Sequence, residues 1–171
     1  MGVGIDSLKL KKRSEKLAFL EVKLDGKTSG YCRLEGFTSQ THNANATEYG
    51  RRYVDEDTER TDVTGYSESI NYSFDHYLHQ PALEEIVKIT ENELIGTDAV
   101  RNILIVDMTS NTGEGQYTAM LRPYAIVPSS NGDTTDCMTY SGDFKSRGVK
   151  KAVKVTLDAD QENATIVNSG E

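Results

Sequence analysis

Apolar side chains recur at every second position along most of this chain, and at helical spacing only once, which confines it to a mainly β fold. Leu20, Val22 and Leu24 alternate with Glu21, Lys23 and Asp25. Asp25-Gly26 is then a hairpin-turn signal, with the return strand expected over residues 31–41. Tyr66, Ile70, Tyr72 and Phe74 fall on one face of a further strand, with Ser67, Ser69, Asn71 and Ser73 on the other. Met138, Tyr140 and Phe144 repeat the pattern against Thr139, Ser141, Asp143 and Lys145, as do Val153, Val155 and Leu157 against Lys154, Thr156 and Asp158. The unbroken run Ile103-Leu104-Ile105-Val106 predicts a strand covered on both faces. Asn111 to Gly115 predicts a turn, Tyr117 to Val127 a return strand, and Ala164 to Val167 a last short one.

The one helix is expected to open at Pro81, where a missing amide hydrogen costs nothing. It carries the stripe Leu83, Ile86, Val87 and Leu94, pairs Glu84 with Lys88 one turn on, and stops at Gly96. The sum is a β-sandwich or barrel of about seven or eight antiparallel strands with one flanking α-helix.

The length of 171 residues suits one domain. Residues 1–16 read as an arm that orders against a partner, 17–168 as a single β domain, and 169–171 as a tail. Residues 42–65, HNANATEYGRRYVDEDTERTDVTG, hold few apolar groups and are too long for a structureless loop inside a compact domain. Tyr49, Tyr53 and Val54 can anchor a projecting β-hairpin there, with Arg51 and Arg52 set against Asp55, Glu56, Asp57 and Glu59. The formal net charge is −8, yet residues 1–16 hold five basic and two acidic side chains, leaving −11 on the rest. That acidity argues against a duplex-DNA binder that works by neutralising phosphates. A basic arm bearing Lys11, Lys12 and Arg13 can associate with the acidic body of another copy. A solubilising surface with a loose terminus gives the same numbers.

No motif assigns catalysis, a cofactor or a metal. Asp75, His76 and His79 lie where a strand gives way to a helix, a poor place for ligands to converge. Acids 55–59 lack the spacing of a calcium loop, the run 107–115 lacks a P-loop lysine, and no nucleophile elbow occurs. The protein is therefore read as a non-enzyme. Cys32 and Cys137 read as free, buried thiols of a reducing cytosol, with a long-range bridge left open. No run approaches about 18 apolar residues, so no spanning helix is expected, and the opening MGVGIDSLKLKKRSEK lacks a secretory core. Nine tyrosines without tryptophan suit either a saccharide-stacking face or subunit contacts.

The segments QPALEEIVKITENELIGTDAVRNILIVDM (80–108), LRPYAIVPSSNGD (121–133) and YSGDFKSRGVKKAVKVTLDAD (140–160), in this order behind the arm and polar projection, resemble bacteriophage tail tube proteins. The resemblance covers about residues 17–168. It implies a subunit that assembles as hexameric rings, stacked into a conduit for genome and tape-measure protein. It implies a place in the virion tail after synthesis in the host cytoplasm, with sheath, tail terminator or baseplate proteins as further partners. It also implies that the hairpin and arm bridge rings, which makes Lys11, Lys12, Arg13, Tyr49, Arg51, Arg52, Tyr53, Asp55, Glu56, Asp57 and Glu59 expected interface residues. Two other readings stand beside it. One is the inner tube of a phage-derived contractile injection particle such as a tail-like bacteriocin or a type VI-like system. The other is a monomeric carbohydrate-binding β-sandwich.

Overall fold

The computed structural model describes residues 8–24, 27–111, 113–132 and 134–167. In chain order the elements are β1 (Lys16–Leu24), β2 (Lys27–Arg33), β3 (Phe37–Asn43), β4 (Ala46–Arg51), β5 (Arg60–Tyr66), β6 (Ser69–Asp75), α1 (Pro81–Glu91), β7 (Val100–Asp107), β8 (Gln116–Asn131), β9 (Thr139–Ser146), β10 (Lys151–Leu157) and β11 (Asn163–Val167). Strands β10, β11, β2, β1, β7 and β8 follow one another, and a β8–β10 pairing closes them into a six-stranded antiparallel barrel. From β8 the sheet runs on through β9 and β6 to β3, its last strand. Strands β4 and β5 pair only with each other.

One long strand makes this branching possible. The first part of β8, Gln116–Leu121, bonds to β10, and Tyr124–Asn131 bonds to β9. The change of partner falls at Arg122-Pro123, where the proline has no amide hydrogen to give to a ladder. The β9–β10 connection folds over this junction: Arg147 donates its amide to the Pro123 carbonyl (2.9 Å), and Arg122 Nε donates to the Gly148 carbonyl (2.8 Å). A Cβ on Gly148 would sit 2.7 Å from Pro123 Cγ, so the close approach requires glycine.

The hydrophobic effect is spent on two clusters. Leu17, Phe19, Leu104, Val106, Ala119 and Val155 fill the barrel. Leu20, Ile103, Ile70, Phe74, Tyr124 and Phe144 pack under α1 against Leu83, Ile86 and Ile89. Strands β1 and β7 feed both, since alternate residues point to opposite faces. That is why Ile103–Val106 is unbroken: Leu104 and Val106 enter the barrel, Ile103 meets the helix. Rings stack within the second cluster, Tyr72 on Phe144 at 4.4 Å and Phe74 on Tyr140 at 5.5 Å between centroids.

Of the sandwich or barrel expected, the body is a barrel, closed and continued by a sheet extension. Several other expectations need correction. The segment 31–41 is not one strand: it breaks between β2 and β3 at Gly36 (φ 79°), against which the Tyr77 ring lies. Tyr66 does not continue the face of Ile70 but ends β5, exposed. Glu84 pairs with His76 (3.1 Å), while Lys88 reaches Glu85 (3.3 Å), a helical neighbour three residues away. Cys137 is exposed rather than buried, Cys32 is half-buried, and both are free. The Asp25-Gly26 turn and the tail 169–171 lie outside the described residues, as does Thr112 of the turn expected over 111–115.

The helix also stops earlier than Gly96. Glu93 takes a left-handed conformation (φ 49°), and the amides of Glu93 and Leu94 donate back to the carbonyls of Thr90 (3.3 Å) and Ile89 (3.1 Å). This closure satisfies end carbonyls and tucks Leu94 against the core, but it normally employs glycine. Glu93→Gly is therefore expected to stabilise the fold by about 0.5–1 kcal/mol, read as a higher urea midpoint at unchanged slope.

Candidate assembly surface

Strands β4 and β5 bury almost nothing, and even Tyr49, Val63 and Tyr66 are left exposed. Every β4 residue is exposed, and so is every β5 residue except Gly65. Their own contacts hold the ribbon. Thr64 Oγ1 donates to the Thr47 carbonyl (3.2 Å), and at the root Asn45 Nδ2 donates to the Ser67 carbonyl and to Ser69 Oγ (both 3.0 Å). At the far end the Glu56 amide donates to the Tyr53 carbonyl (3.1 Å), closing a turn with Val54 and Asp55 at its centre.

This tip collects the sequence-predicted residues Tyr49, Arg51, Arg52, Tyr53, Asp55, Glu56, Asp57 and Glu59. Arg51 is held locally, donating to Tyr49 Oη (3.0 Å) and lying over the Tyr53 ring at 5.9 Å. Glu56 is bound by Arg60, and Glu59 folds against Gly50. Asp55, Asp57 and Arg52 make no ion pair among the described residues, and Val54 is 108% exposed at the turn's apex.

The arm residues lie elsewhere and bind their own body. Lys11 Nζ sits 2.5 Å from Asp107 Oδ2, and Arg13 donates to the Lys16 carbonyl (2.9 Å) and to Gln40 Oε1 (3.0 Å). The bonds from Lys11 and Thr109 hold the Asp107 carboxyl down at about 2. The Lys12 amide donates to Glu15 Oε2 (2.8 Å).

Between arm, hairpin root and barrel wall lies a cleft of about 460 Å³ that sequence reading missed. Its floor is a cross-strand row, Ala18, Ile105 and Met120, in register on the outer faces of β1, β7 and β8. Its rim carries Arg13, Lys16, His42, Lys150 and Glu68. Glu68 gathers the charges, accepting from Arg122 (2.8 Å), Lys150 (2.9 Å) and Tyr124 Oη (3.1 Å), with His42 Nδ1 at 3.6 Å. Burial alone would raise the Glu68 carboxyl, but the bonds and charges of Lys150 and Arg122 hold it below its usual range. His42 is pushed down, chiefly by loss of water and further by the Arg13 and Lys16 charges, against the opposing pull of Glu68.

A folded-state value depressed below 6.5 means the unfolded chain takes up the proton first on acidification. Stability is then expected to fall from pH 7 to pH 5, and His42→Asn to flatten that slope, as measured by melting temperature against pH.

The opposite face of the sheet extension is mostly small and polar, with Lys145 at one end of β9 and Val127 exposed beside Asp143. Asn43, Asn71 and Asp143 form a cross-strand chain, with Asn71 Nδ2 donating to Asp143 Oδ1 at 2.5 Å. Ser130 and Ser141 are joined at 2.7 Å beside it. The histidines near the helix do not converge with acids on a common point: His76 meets Glu84, His79 is exposed, and no group of three or more His, Cys, Asp or Glu among the described residues could hold a metal. Tyr72, Tyr124 and Tyr140 belong to the core, and the exposed Tyr49, Tyr53 and Tyr66 to the hairpin.

No protein-family model and no curated protein sequence matches this chain. Solved structures do. A chain in the C6-symmetric tail of an empty gene transfer agent particle is 12% identical, with a TM-score of 0.59 over 83% of this chain and 98% of that one. A chain in the native gene transfer agent virion is 11% identical, with 0.57 over 84% and 98%. One in the six-fold symmetrised baseplate of the anti-feeding prophage is 8% identical, with 0.51 over 86% and 97%. Nearly the whole of each of these chains is matched, so this chain shares the fold found in these tail and baseplate particles.

Proposed function

We propose that this protein is a structural subunit of a tail tube, six copies forming a ring and rings stacking into a conduit for genome and tape-measure protein. The observation that carries the reading is the sheet β8–β9–β6–β3, an extension whose last strand, β3, has an outer edge that pairs with no strand among the described residues, while the barrel closes its own edges. An edge left open is a template for another chain. Pairing β3 with the next copy is a head-to-tail contact, which closes into a ring when its rotation divides a full turn. The C6 symmetry of the gene transfer agent tail supports six as the ring number.

The Ser/Asn/Asp face of that extension suits a passage for DNA. Small neutral polar groups, with the Asp143 carboxylate beside the Lys145 ammonium two residues on, offer phosphates little to grip, and an acidic body repels them at range. The protein would be made in the host cytoplasm and reside in the virion tail beside terminator, baseplate or sheath proteins. The likeness to the prophage baseplate supports a second setting with the same ring, the tube of a phage-derived injection particle.

Sedimentation velocity over a concentration series tests the proposal. Growth from monomer to hexamer and multiples of it is expected. A single monomer boundary at all concentrations, with the core folded, would count against it.

A further inference from the structure

We propose that the hairpin tip of one copy seats in the root cleft of another, Val54 entering between Ala18, Ile105 and Met120 while Asp55 and Asp57 meet Lys16 and its neighbours. The inference rests on the self-assembly reading and adds to it a receptor for the tip. Two surfaces of the same chain are complementary in both shape of charge and polarity. The tip presents an apolar side chain at the apex of a turn, 108% exposed, flanked by two carboxylates without an ion pair among the described residues. The cleft presents an apolar floor ringed by Arg13, Lys16 and Lys150, with Glu68 its one acid and already bonded to Arg122 and Lys150. Lys16 likewise has no ion pair of its own among the described residues.

The tip cannot fill the cleft of its own chain. Ala44 and Glu68 at the hairpin root line the cleft, and the seven residues of β5 carry the tip about 20 Å away at some 3.3 Å per residue. A tip that enters this cleft must therefore come from a second copy. Because tip and cleft are different surfaces, each copy offers one of each, and the contact propagates head to tail. Desolvated at the cleft floor, Val54 supplies an apolar anchor of the kind that dominates interfaces, while the carboxylates set orientation against the lysine.

Site-directed cross-linking decides the matter. Full-length chains lacking Cys32 and Cys137 (Cys32→Ser, Cys137→Ser) would carry either Val54→Cys or Met120→Cys, one of the two bearing a mass tag. Mixed and oxidised, they should give a disulfide-linked heterodimer at least tenfold above that from Val54→Cys with the exposed control Ile95→Cys, which does not line the cleft. In parallel, Asp55→Lys should weaken assembly at least tenfold, and Lys16→Asp added to it should restore it. Tubes that form with neither cross-link nor charge rescue would overturn this contact and leave the tube reading intact. Monomers without a cross-link would overturn both. The exposed position of Val54 and Lys16 keeps folding out of the readout.

Discussion

Replacing Arg101 by methionine is expected to cost about 3–5 kcal/mol, a large fraction of the 5–15 kcal/mol that holds a typical domain together. Arg101 is 3% exposed, in a molecule whose other charges lie mostly at the surface. Its Nε and Nη2 lie 2.8 and 2.7 Å from Glu85 Oε1, and Nη1 donates to the carbonyls of Asp98 (2.8 Å) and Val100 (2.7 Å). One guanidinium thus ties the helix to the turn before β7. Methionine would fill the space but remove the donation to the Asp98 and Val100 carbonyls and leave Glu85, 4% exposed, with only the half-exposed Lys88 at 3.3 Å. Removing both charges together, as Glu85→Leu with Arg101→Met, is expected to recover much of the loss, since an apolar pair carries no desolvation penalty. Urea midpoints of the two single variants and the double variant measure this coupling. A cost under about 1 kcal/mol for Arg101→Met would show that the pair is not what locks the helix.

Replacing residues 46–66 by a short Gly-Ser turn between Asn45 and Ser67 is expected to abolish polymerisation while leaving a folded monomer. The ribbon gives no residue to either buried cluster, so the melting temperature should move by no more than a few degrees. Shortening the loop even favours the folded state slightly, because closure entropy grows with length. The assembly effect has no such compensation, because the deletion removes the tip that the proposed contact seats in the cleft of another copy. Near-ultraviolet circular dichroism would report the intact packing of Tyr72, Tyr124 and Tyr140, and sedimentation the lost polymer. Tubes of ordinary length from this variant would remove the hairpin from the account.

Much of the fold is legible in residue spacing. The period of two places β6, β9 and β10, the run Ile103–Val106 announces a strand covered twice, and Pro81 marks the helix start. Barrel closure is not legible, because it depends on β8 exchanging β10 for β9 at Pro123, and a strand pattern says nothing about partners. The helix end is not legible, because Glu93 adopts the left-handed conformation for which Gly96, three residues on, is the ordinary signal. The strand to which Tyr66 belongs is not legible either, because β5 and β6 both alternate, with only Ser67-Glu68 between them.

For the candidate surface, the polar segment stands out by composition, and its residues do meet at one tip. The cleft is assembled from Lys16, His42, Glu68, Ile105, Met120 and Lys150, which no local pattern joins. One signal for it exists. Met120 lies between Ala119 and Leu121, which face the barrel interior, so it is an apolar residue on the outer face, as is Ile105 in the neighbouring strand. Two outward apolar residues in register mark a surface with something to cover.

Negative-stain electron microscopy of the purified protein at high concentration tests the central claim most directly. The account predicts hollow tubes or stacked rings whose end views average to six-fold symmetry. A field of separate compact particles at every concentration, in a sample shown to be folded, would contradict it.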